Sequence, residues 1–291
     1  MSIDIAIGSD GTPYVQAYPW DAGFGTKYAN PSTLPTGNGW GVAFSPSGTD
    51  IAVAHLTSPY ISAYPWFPSF GTKYTNPSTL PTGNARGVAV SPSGSDIAVS
   101  HDVSPYVTAY PWSAGFGTKY TNPSTLPTGI GDKVAFSPSG SDIAVAHGGD
   151  PYITAYPWSA GFGAKYANPS TLPTSECFGV AFSPSGSDIA VAHNISPRVT
   201  AYPWSAGFGA KYANPSTLPA GSAFGVAFSS SGSVIAVAHA TSPYITAYPW
   251  SAGFGAKYAD PSTLPASEGR AVVFTPVAVG KIDYLPMMGL H

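Results

Sequence analysis

Residues 133–173 read KVAFSPSGSDIAVAHGGDPYITAYPWSAGFGAKYANPSTLP. This stretch contains four short extended runs, residues 134–137, 143–147, 152–158 and 164–172. Large and small side chains alternate along the first three with the period of two that is typical of β-strands. Turns rich in serine, glycine and proline separate the runs. The stretch therefore predicts four antiparallel strands in one sheet.

The same unit recurs every 46 residues along the chain. Its tripeptide Tyr-Pro-Trp occurs six times and begins at the following residues: Tyr18, Tyr64, Tyr110, Tyr156, Tyr202 and Tyr248. Repeats of about 20 to 50 residues that contain several strands each are typical of β-propellers and solenoids. The sequence predicts an all-β protein, a six-bladed β-propeller with four-stranded antiparallel blades.

The two ends of the sequence carry complementary parts of one repeat. Residues 4–7 match a second strand, and residues 271–274 match a first strand. We therefore expect the C-terminal first strand, residues 269–276, to join the N-terminal strands and close the ring. The predicted propeller is residues 1–276, and the C-terminal tail is residues 277–291.

The fourth run of each unit carries residues that protect an exposed sheet edge. In the quoted repeat these residues are Lys165, Pro169 and Pro173. Lysine discourages edge-to-edge pairing, and proline is tolerated on an edge strand because it has no N–H group to donate to a neighbour. We expect the fourth strand to form the outer rim.

Composition excludes several classes of function. Only 9% of the residues are charged and the net charge is −3, so no basic surface for nucleic acid is indicated. No apolar run reaches the roughly 18 residues of a membrane span, and the N-terminus lacks the features of a signal peptide. Cys177 is the single cysteine, which excludes an internal disulfide. We expect a soluble protein without a signal peptide.

The run FSPSGSDIAVAH, residues 136–147, resembles the strand–turn–strand core of WD-repeat-like propellers. With SPYITAYPW and NPSTLPTG, the whole unit is similar to short-period propellers found among phage and prophage genes. The resemblance covers about residues 1–276. It implies a phage origin and a place on the virion. The terminal Trp-Asp dipeptide of WD repeats is missing, so the hydrogen-bond networks of that family are not carried over.

Comparison of the six copies separates two faces of the predicted disc. The turns after the first and third strands share one face and hardly vary. The loops after the second and fourth strands share the other face and diverge. Since loops on a rigid scaffold often carry binding groups, we expect this face to bind a ligand, and drift at exposed loop tips is the alternative. The predicted binding residues are Asp10, Trp40, Arg86, Asp102, Asp132, Asp150, Glu176, Arg198, Glu268 and Arg270.

The repeated Tyr-Pro-Trp corner allows two interpretations. Its indole rings fill the wedges between blades, or they offer apolar platforms for sugars in the crevices between blades. Several weak sugar sites on one molecule would raise the avidity. The residues concerned are Trp20, Trp66, Trp112, Trp158, Trp204 and Trp250.

Five repeats carry a histidine at the end of the second strand, and Ser9 takes its place in the remaining one. The histidines are His55, His101, His147, His193 and His239. Six evenly spaced positions around a ring should keep two imidazoles too far apart to share a zinc ion. We expect these side chains to bridge neighbouring blades by hydrogen bonds, and we predict no metal site.

No motif for a catalytic serine, a zinc peptidase or a phosphate-binding loop is present in the sequence. Glu176 and Glu268 occupy equivalent loops two blades apart, too far for a glycosidase pair. The predicted function is a non-enzymatic recognition module without a cofactor, which binds a cell-surface glycan or protein. The alternative is a structural scaffold of a phage particle without a glycan ligand. Met287 and Met288 in the tail suit a contact with a partner or a second copy, or the tail covers a blade edge.

Overall fold

The computed structural model describes residues 3–20 and 24–274, and the regular structure in these residues is β-strand throughout. Five sheets have three strands each, and the sheet nearest the N-terminus has two in the described residues. Among these residues there is no helix with the length and apolar character needed to cross a membrane. The protein is all-β, with six repeated sheets in a β-propeller-like arrangement, as the repeat predicts.

The strands follow one another at regular intervals. The N-terminal sheet contains β1 (Ile3–Gly8) and β2 (Val15–Trp20). The three-stranded sheets follow in chain order: β3 (Gly39–Phe44), β4 (Asp50–His55) and β5 (Ile61–Pro65); β6 (Ala85–Val90), β7 (Asp96–His101) and β8 (Val107–Pro111); β9 (Gly131–Phe136), β10 (Asp142–His147) and β11 (Ile153–Pro157); β12 (Cys177–Phe182), β13 (Asp188–His193) and β14 (Val199–Pro203); β15 (Ala223–Phe228), β16 (Val234–His239) and β17 (Ile245–Pro249).

Each sheet is antiparallel, and in each three-stranded sheet the second strand lies in the middle. In the third of the three-stranded sheets, Val145 of β10 lies opposite Val134 of β9 on one side and Thr154 of β11 on the other. The first strands of consecutive sheets approach closely, because a Cβ atom on Gly41 would lie only 3.0 Å from Cα of Gly87. Glycine at this position therefore allows the backbones of β3 and β6 to meet.

The core lies between consecutive sheets. Ala98 of β7 and Val107 of β8 pack with Ile143 of β10 and Tyr156 of β11 in one buried cluster. Four further clusters of the same kind join other sheets. Burial of each large apolar side chain contributes about 1.5–3 kcal/mol, so the packing of sheet against sheet stabilises the fold.

The sheets have three strands where the sequence predicts four. In the quoted repeat, residues 164–172 form no strand, and their main backbone link to the sheet is the N–H of Tyr166, which donates to the carbonyl oxygen of Ala155 at 3.0 Å. Pro169 and Pro173 have no N–H group, and proline cannot continue a hydrogen-bonded ladder. The fourth run is therefore an irregular segment along the sheet edge.

The pairing that closes the predicted ring is not found in the part of the chain that the structure describes. There, β1 pairs only with β2, and residues 269–274 form no strand. Ile7 of β1 is 47% exposed, whereas the equivalent Val53 of β4 is fully buried. Residues 275–276 and the predicted tail, residues 277–291, lie outside the described residues.

Candidate ligand-binding site on the variable face

Hydrogen bonds between loops assign each loop to one of two faces. The hydroxyl of Thr36, in the segment before β3, donates to the carbonyl oxygen of Ser58, in the loop between β4 and β5, at 2.7 Å. On the opposite side, the N–H of Trp66, just after β5, donates to the carbonyl oxygen of Thr49, in the turn between β3 and β4, at 2.7 Å. We call the first side the variable face and the second the constant face, as the sequence divides them.

On the constant face, an aspartate at the start of the second strand collects hydrogen bonds. The carboxylate of Asp142 accepts from the hydroxyls of Ser141 at 2.7 Å and Tyr166 at 2.6 Å. It also accepts from Nε1 of Trp204, in the next sheet, at 3.3 Å. Burial and the hydrogen bond to Asp142 raise the pKa of Tyr166 to about 12. This network explains why the turn sequence SPSGSD varies so little.

The repeated tryptophans are mostly buried at these junctions. Trp66 is 4% exposed, and Trp112, Trp158, Trp204 and Trp250 are each 6% exposed, while Trp20 is partly buried. A crevice of about 340 Å³ between two sheets does reach one of them; its lining includes Ser187, Asp188, Tyr212, Ser231 and Trp250. The burial favours packing as the main role of these rings, although Trp250 also contributes to the wall of the crevice.

The five histidines make hydrogen bonds inside their own sheets. Nε2 of His147 lies 2.8 Å from the hydroxyl of Thr154 on the neighbouring strand of the same sheet, and the other four make equivalent bonds. The prediction that these histidines bridge neighbouring blades is therefore wrong for the hydrogen bonds of Nε2. On the Nδ1 side, His193 approaches the hydroxyl of Thr174, in the segment arriving from the preceding sheet, at 3.3 Å.

Every three-stranded sheet contains a β-bulge in its first strand. In β3, Gly39 lies opposite His55 and Gly41 lies opposite Ala54, so Trp40 between them has no partner. A bulge redirects the side chain of the extra residue. The five bulge residues and the residue 46 positions after the last of them form one column, which we call the axial column: Trp40, Arg86, Asp132, Phe178, Phe224 and Arg270.

The axial column lines a single cavity of about 470 Å³ on the variable face. Gly8, Ser9, Asp10, Gly39 and Lys133 complete the lining, so the walls come from all six repeats. Five of the ten predicted binding residues meet here: Asp10, Trp40, Arg86, Asp132 and Arg270. The other six lining residues are missing from the sequence prediction: Gly8, Ser9, Gly39, Lys133, Phe178 and Phe224. Phe178 and Phe224 could have been predicted from the repeat, because Phe178 lies 46 residues after Asp132 and Phe224 lies 46 residues before Arg270.

The other five predicted binding residues do not line the cavity. Glu176 accepts a hydrogen bond from the side-chain amide of Asn194 at 3.0 Å. Arg198 donates from Nη1 to the carbonyl oxygen of Pro219 at 3.0 Å. These contacts tie loops of the variable face to each other. The five residues are Asp102, Asp150, Glu176, Arg198 and Glu268.

One side of the cavity is charged. Nη1 of Arg86 lies 3.1 Å from Oδ1 of Asp132, and the guanidinium group lies 4.9 Å from the centre of the Trp40 ring. Nζ of Lys133 donates to the carbonyl oxygens of Trp40 and Arg86, both at 3.3 Å. Burial raises the pKa of Asp132 to about 6, although Arg86 opposes this shift, and burial lowers the pKa of Lys133.

The other side of the cavity is aromatic. The rings of Phe178 and Phe224, from consecutive sheets, are 5.5 Å apart with their planes tilted by 48°. The guanidinium group of Arg270 lies 4.5 Å from the centre of the Phe224 ring, and it also pairs with the carboxylate of Glu268. Cations stack favourably on aromatic faces. The cavity therefore combines an apolar wall with a set of cationic groups.

Metal and thiol chemistry find little support in the described part of the chain. No group of three histidine, cysteine, aspartate or glutamate side chains in residues 3–20 and 24–274 is arranged to hold a metal ion. Cys177 is buried, and burial raises the pKa of its thiol well above the ordinary value. A thiol of this kind is a poor nucleophile because the reactive form is the thiolate.

No protein-family model matches the sequence, and no curated protein matches it either. Solved structures with a similar fold are numerous, with 1231 matching chains, so the fold by itself does not indicate a function. One is described as "a putative 6-phosphogluconolactonase" from Bacteroides uniformis. It is 15% identical, with a TM-score of 0.65 over 88% of this chain and 81% of its own.

Two further structures show the same likeness. Hydrazine synthase from Kuenenia stuttgartiensis is 14% identical, with a TM-score of 0.62 over 81% of this chain and 70% of its own. A functionally unknown protein from Desulfotomaculum acetoxidans is also 14% identical, with a TM-score of 0.64 over 91% of this chain and 84% of its own. At these identities the likeness extends to the fold alone, and it agrees with a β-propeller-like arrangement of the sheets.

Proposed function

We propose that the protein is a non-enzymatic recognition module, and that it binds its ligand on the variable face around the central cavity. The observation that carries this proposal is the axial column. A bulge in each of five sheets directs one residue into the same cavity. These residues differ from repeat to repeat, while the strands around them hardly change. A rigid frame with one variable position per unit is suited to recognition.

Neutral sequence divergence at exposed loop tips explains the axial column poorly. Asp132 is only 9% exposed, and it pairs with Arg86 from the neighbouring sheet. Phe178 packs against Phe224 from the sheet after it. Neighbouring positions of the column thus carry complementary side chains, whereas independent drift of solvated residues has no reason to produce complementary pairs.

We infer that the six sheets close into one ring around the cavity. Its lining includes Asp10 from the N-terminal sheet and Arg270 from beyond the last strand. A Cβ atom on Gly225 would lie 3.0 Å from Cα of Ala271, which matches the contact between Gly41 and Gly87. Residue 271 therefore packs beside β15 as each first strand packs beside the first strand of the preceding sheet. This contact supports a sixth blade formed by the N-terminal and C-terminal ends of the chain.

The chemical nature of the ligand is proposed from the sequence resemblance. By that resemblance, the protein belongs to a phage particle and attaches to a cell-surface glycan or protein. The alternative within this proposal is a scaffold that contacts another protein of the particle and binds no glycan. In both cases the variable face makes the contact.

A binding comparison of matched variants tests the proposal. The double variant Trp40→Ala/Arg270→Ala removes two exposed members of the axial column, and Phe67→Ala removes an exposed ring of the constant face. We expect binding to a glycan array or to intact bacterial cells to be lost in the double variant and kept in Phe67→Ala. Equal loss in both variants, or in neither, would contradict recognition by the variable face.

An enzymatic role is the competing interpretation, because one structural neighbour carries the name of a lactonase. Asp132 is the carboxylate in the cavity whose pKa is raised, to about 6, and a general base works best near neutrality. However, its Oδ1 is held by Arg86. We expect no hydrolysis of 6-phosphogluconolactone above the uncatalysed rate. Turnover that disappears in Asp132→Asn would replace recognition with catalysis.

Binding of sugars in the inter-sheet crevices is the second candidate. The crevice of about 340 Å³ offers hydroxyl groups, the carboxylate of Asp188 and an edge of Trp250. Because this indole is buried, truncation would damage the core, and filling the crevice is the better test. A glycan signal that survives Trp40→Ala/Arg270→Ala but is lost on Ser251→Trp would favour the crevice over the cavity.

A further inference from the structure

We propose that the central cavity binds a small amphipathic anion, a carboxylate carried on a flat aromatic or other apolar ring system. This inference rests on the proposed function and names the class of ligand that the cavity takes. The volume of the cavity, about 470 Å³, lies within the range of about 300–1,000 Å³ for small-molecule sites. The argument depends on how charge and apolar surface are divided around the axial column.

The aromatic side provides a surface for the ring of the ligand. Phe178 and Phe224 come from two consecutive sheets, and both are partly buried. Their separation of 5.5 Å lies in the favourable range for aromatic pairs of about 4.5–7 Å. Trp40, at 44% exposure, adds a third aromatic group to the cavity. A flat apolar group of a ligand can therefore be buried against a protein surface that packing already holds in place.

The cavity lining as a whole has more cationic than anionic groups. Three cations line the cavity, Arg86, Lys133 and Arg270, and the carboxylates in the lining are Asp10 and Asp132. Asp132 is engaged by Arg86 at 3.1 Å, and Asp10 accepts a hydrogen bond from Nε1 of Trp40 at 3.3 Å. The Arg86–Asp132 pair cancels one charge of each sign, whereas the neutral indole leaves the charge of Asp10 in place. Lys133 and Arg270 are the cations that an incoming anion can meet.

Lys133 is the strongest argument for an anion. It replaces the small residue that follows the axial column in the other repeats: Gly41, Gly87, Gly179, Gly225 and Ala271. In the residues that the structure describes, its ammonium group donates only to two carbonyl oxygens. Neutral acceptors compensate a partly buried charge incompletely, and a carboxylate would add a charge-assisted hydrogen bond.

Arg270 can turn towards a ligand at little cost. Its side chain is 68% exposed, and its partner Glu268 is 39% exposed. Exposed ion pairs of this kind contribute little to stability. A carboxylate in the cavity can therefore replace Glu268 as the partner while the guanidinium group stays over Phe224. A cationic ligand would meet the two cations Lys133 and Arg270, opposed in the described lining by the carboxylate of Asp10, which is hydrogen-bonded to a neutral indole.

Three probes of one shape separate the contributions of charge and apolar surface. Isothermal titration of the full chain would compare 2-naphthoate with the neutral 2-naphthamide and the cationic 2-naphthylmethylammonium. We expect 2-naphthoate to bind roughly tenfold more tightly than the amide, which is the gain from one charge-assisted hydrogen bond. The ammonium compound should show no binding.

Variants assign the anion to its partners. Lys133→Gln and Arg270→Gln should each weaken 2-naphthoate roughly tenfold and leave the amide unchanged. Glu268→Gln should strengthen 2-naphthoate, because it removes the anion that competes for Arg270. Lys165→Gln, on the sheet edge, serves as the matched control and should change nothing. Arg270 is exposed, so its substitution should leave the protein folded even if Lys133→Gln does not.

The outcomes separate this inference from the proposed function. Equal affinity for the three probes, or no binding of 2-naphthoate to a folded protein, would overturn the anion site. In that case the unsubstituted protein can still bind glycans or cells while Trp40→Ala/Arg270→Ala does not. The recognition role then stands, and only the ligand class is wrong. If 2-naphthoate binds as expected while cells and glycans do not, the anion site stands, and its ligand is a free small molecule.

Discussion

Nε1 of Trp204 donates a hydrogen bond to Oδ2 of Asp142, which lies 62 residues earlier in the chain and in the preceding sheet, at 3.3 Å. The same bond joins Trp66 to Asp4 at 2.9 Å, and further copies join Trp158 to Asp96 and Trp250 to Asp188. The Tyr-Pro-Trp corner therefore does more than fill space. It ties four of the five three-stranded sheets to the sheet before them.

Removal of this aspartate should destabilise the protein strongly. Asp142→Ala leaves the hydroxyl of Tyr166 and the indole nitrogen of Trp204 without their acceptor. Each buried polar group left unsatisfied costs about 1–3 kcal/mol, so we expect the free energy of unfolding to fall by about 2–5 kcal/mol. Urea denaturation followed by tryptophan fluorescence measures it. A loss below about 0.5 kcal/mol, the range of ordinary surface substitutions, would show that the network is not structural.

The last repeat offers the reverse experiment. Val234 stands where the other repeats have the aspartate, and the tyrosine of that repeat, Tyr258, is 48% exposed. Val234→Asp should give the hydroxyl of Tyr258 an acceptor and stabilise the protein by about 1 kcal/mol. The same urea titration measures the change. The control compares Val234→Asp/Tyr258→Phe with Tyr258→Phe, which both lack the hydroxyl, so the aspartate should gain nothing there. A similar gain in both proteins would mean that the tyrosine is not the partner.

The strands could be predicted from the sequence because their pattern is local. The predicted runs 134–137 and 143–147 fall within or beside β9 and β10, since alternation and turn residues fix both. The fourth run, residues 164–172, lacks this alternation and contains Pro169, which cannot continue a hydrogen-bonded ladder. The repeat and its edge residues predict a strand there, but the local side-chain pattern does not support one.

The candidate site was harder to predict, because it depends on register. Nothing in the triplet Glu176-Cys177-Phe178 indicates that its third residue is the one without a partner opposite. The bulge becomes visible only when the two strands are paired. Charge identified Arg86 and Asp132 as members of the site, whereas Phe178 resembles an ordinary core residue in the sequence.

Closure of the ring can be tested by a designed disulfide. By the register of β3 and β4, in which Val42 lies opposite Val53, a closing strand would place residue 272 opposite residue 7. We expect Ile7→Cys and Val272→Cys to form an intramolecular disulfide under mild oxidation. Paired residues of this kind satisfy the geometry of the bond. Cys177→Ala provides a background without other thiols, since alanine is the natural residue at the equivalent positions in β6 and β15.

Mobility on a non-reducing gel, together with the intact mass, reports this disulfide. The control pair combines Ile7→Cys with Val273→Cys, whose side chains would point to opposite faces of the sheet. Closure predicts rapid oxidation in the first pair and slow oxidation in the second. Equal rates in the two pairs, or oxidation only between molecules, would argue against a closed ring.

Stability should fall in mild acid because the histidines are buried. Burial lowers the pKa of His55, His101, His147 and His193 to about 4, against an ordinary value of 6.5. Between these pH values the unfolded chain binds more protons than the folded protein, so the free energy of unfolding decreases as the pH falls. Each histidine contributes at most about 2 kcal/mol to the loss between pH 6.5 and pH 5.

Thermal unfolding between pH 8 and pH 4.5 measures this dependence. We expect a constant midpoint above pH 7 and a steep fall below pH 6.5. His147→Gln should be less stable at pH 7, because the bond to Thr154 is changed, but its midpoint should depend less on pH. A variant with the same pH dependence as the original protein would assign the acid sensitivity to other groups.

The axial column should be exchangeable between repeats, and the pair of Arg86 and Asp132 tests this. Arg86→Phe alone leaves the mostly buried carboxylate of Asp132 without its cation, and Asp132→Phe alone leaves the guanidinium group without its anion. Loss of one partner from a buried ion pair costs about 3–5 kcal/mol, and the partial exposure of this pair places the expected cost near the lower end.

Phe178 and Phe224 already form an aromatic pair at equivalent positions of consecutive sheets. The double variant Arg86→Phe/Asp132→Phe should therefore recover most of the stability, since replacement of an ion pair by apolar side chains is often neutral. A double-mutant cycle in urea measures the coupling. If the two losses simply add, the positions are not interchangeable, and the cavity wall must be specific to each repeat.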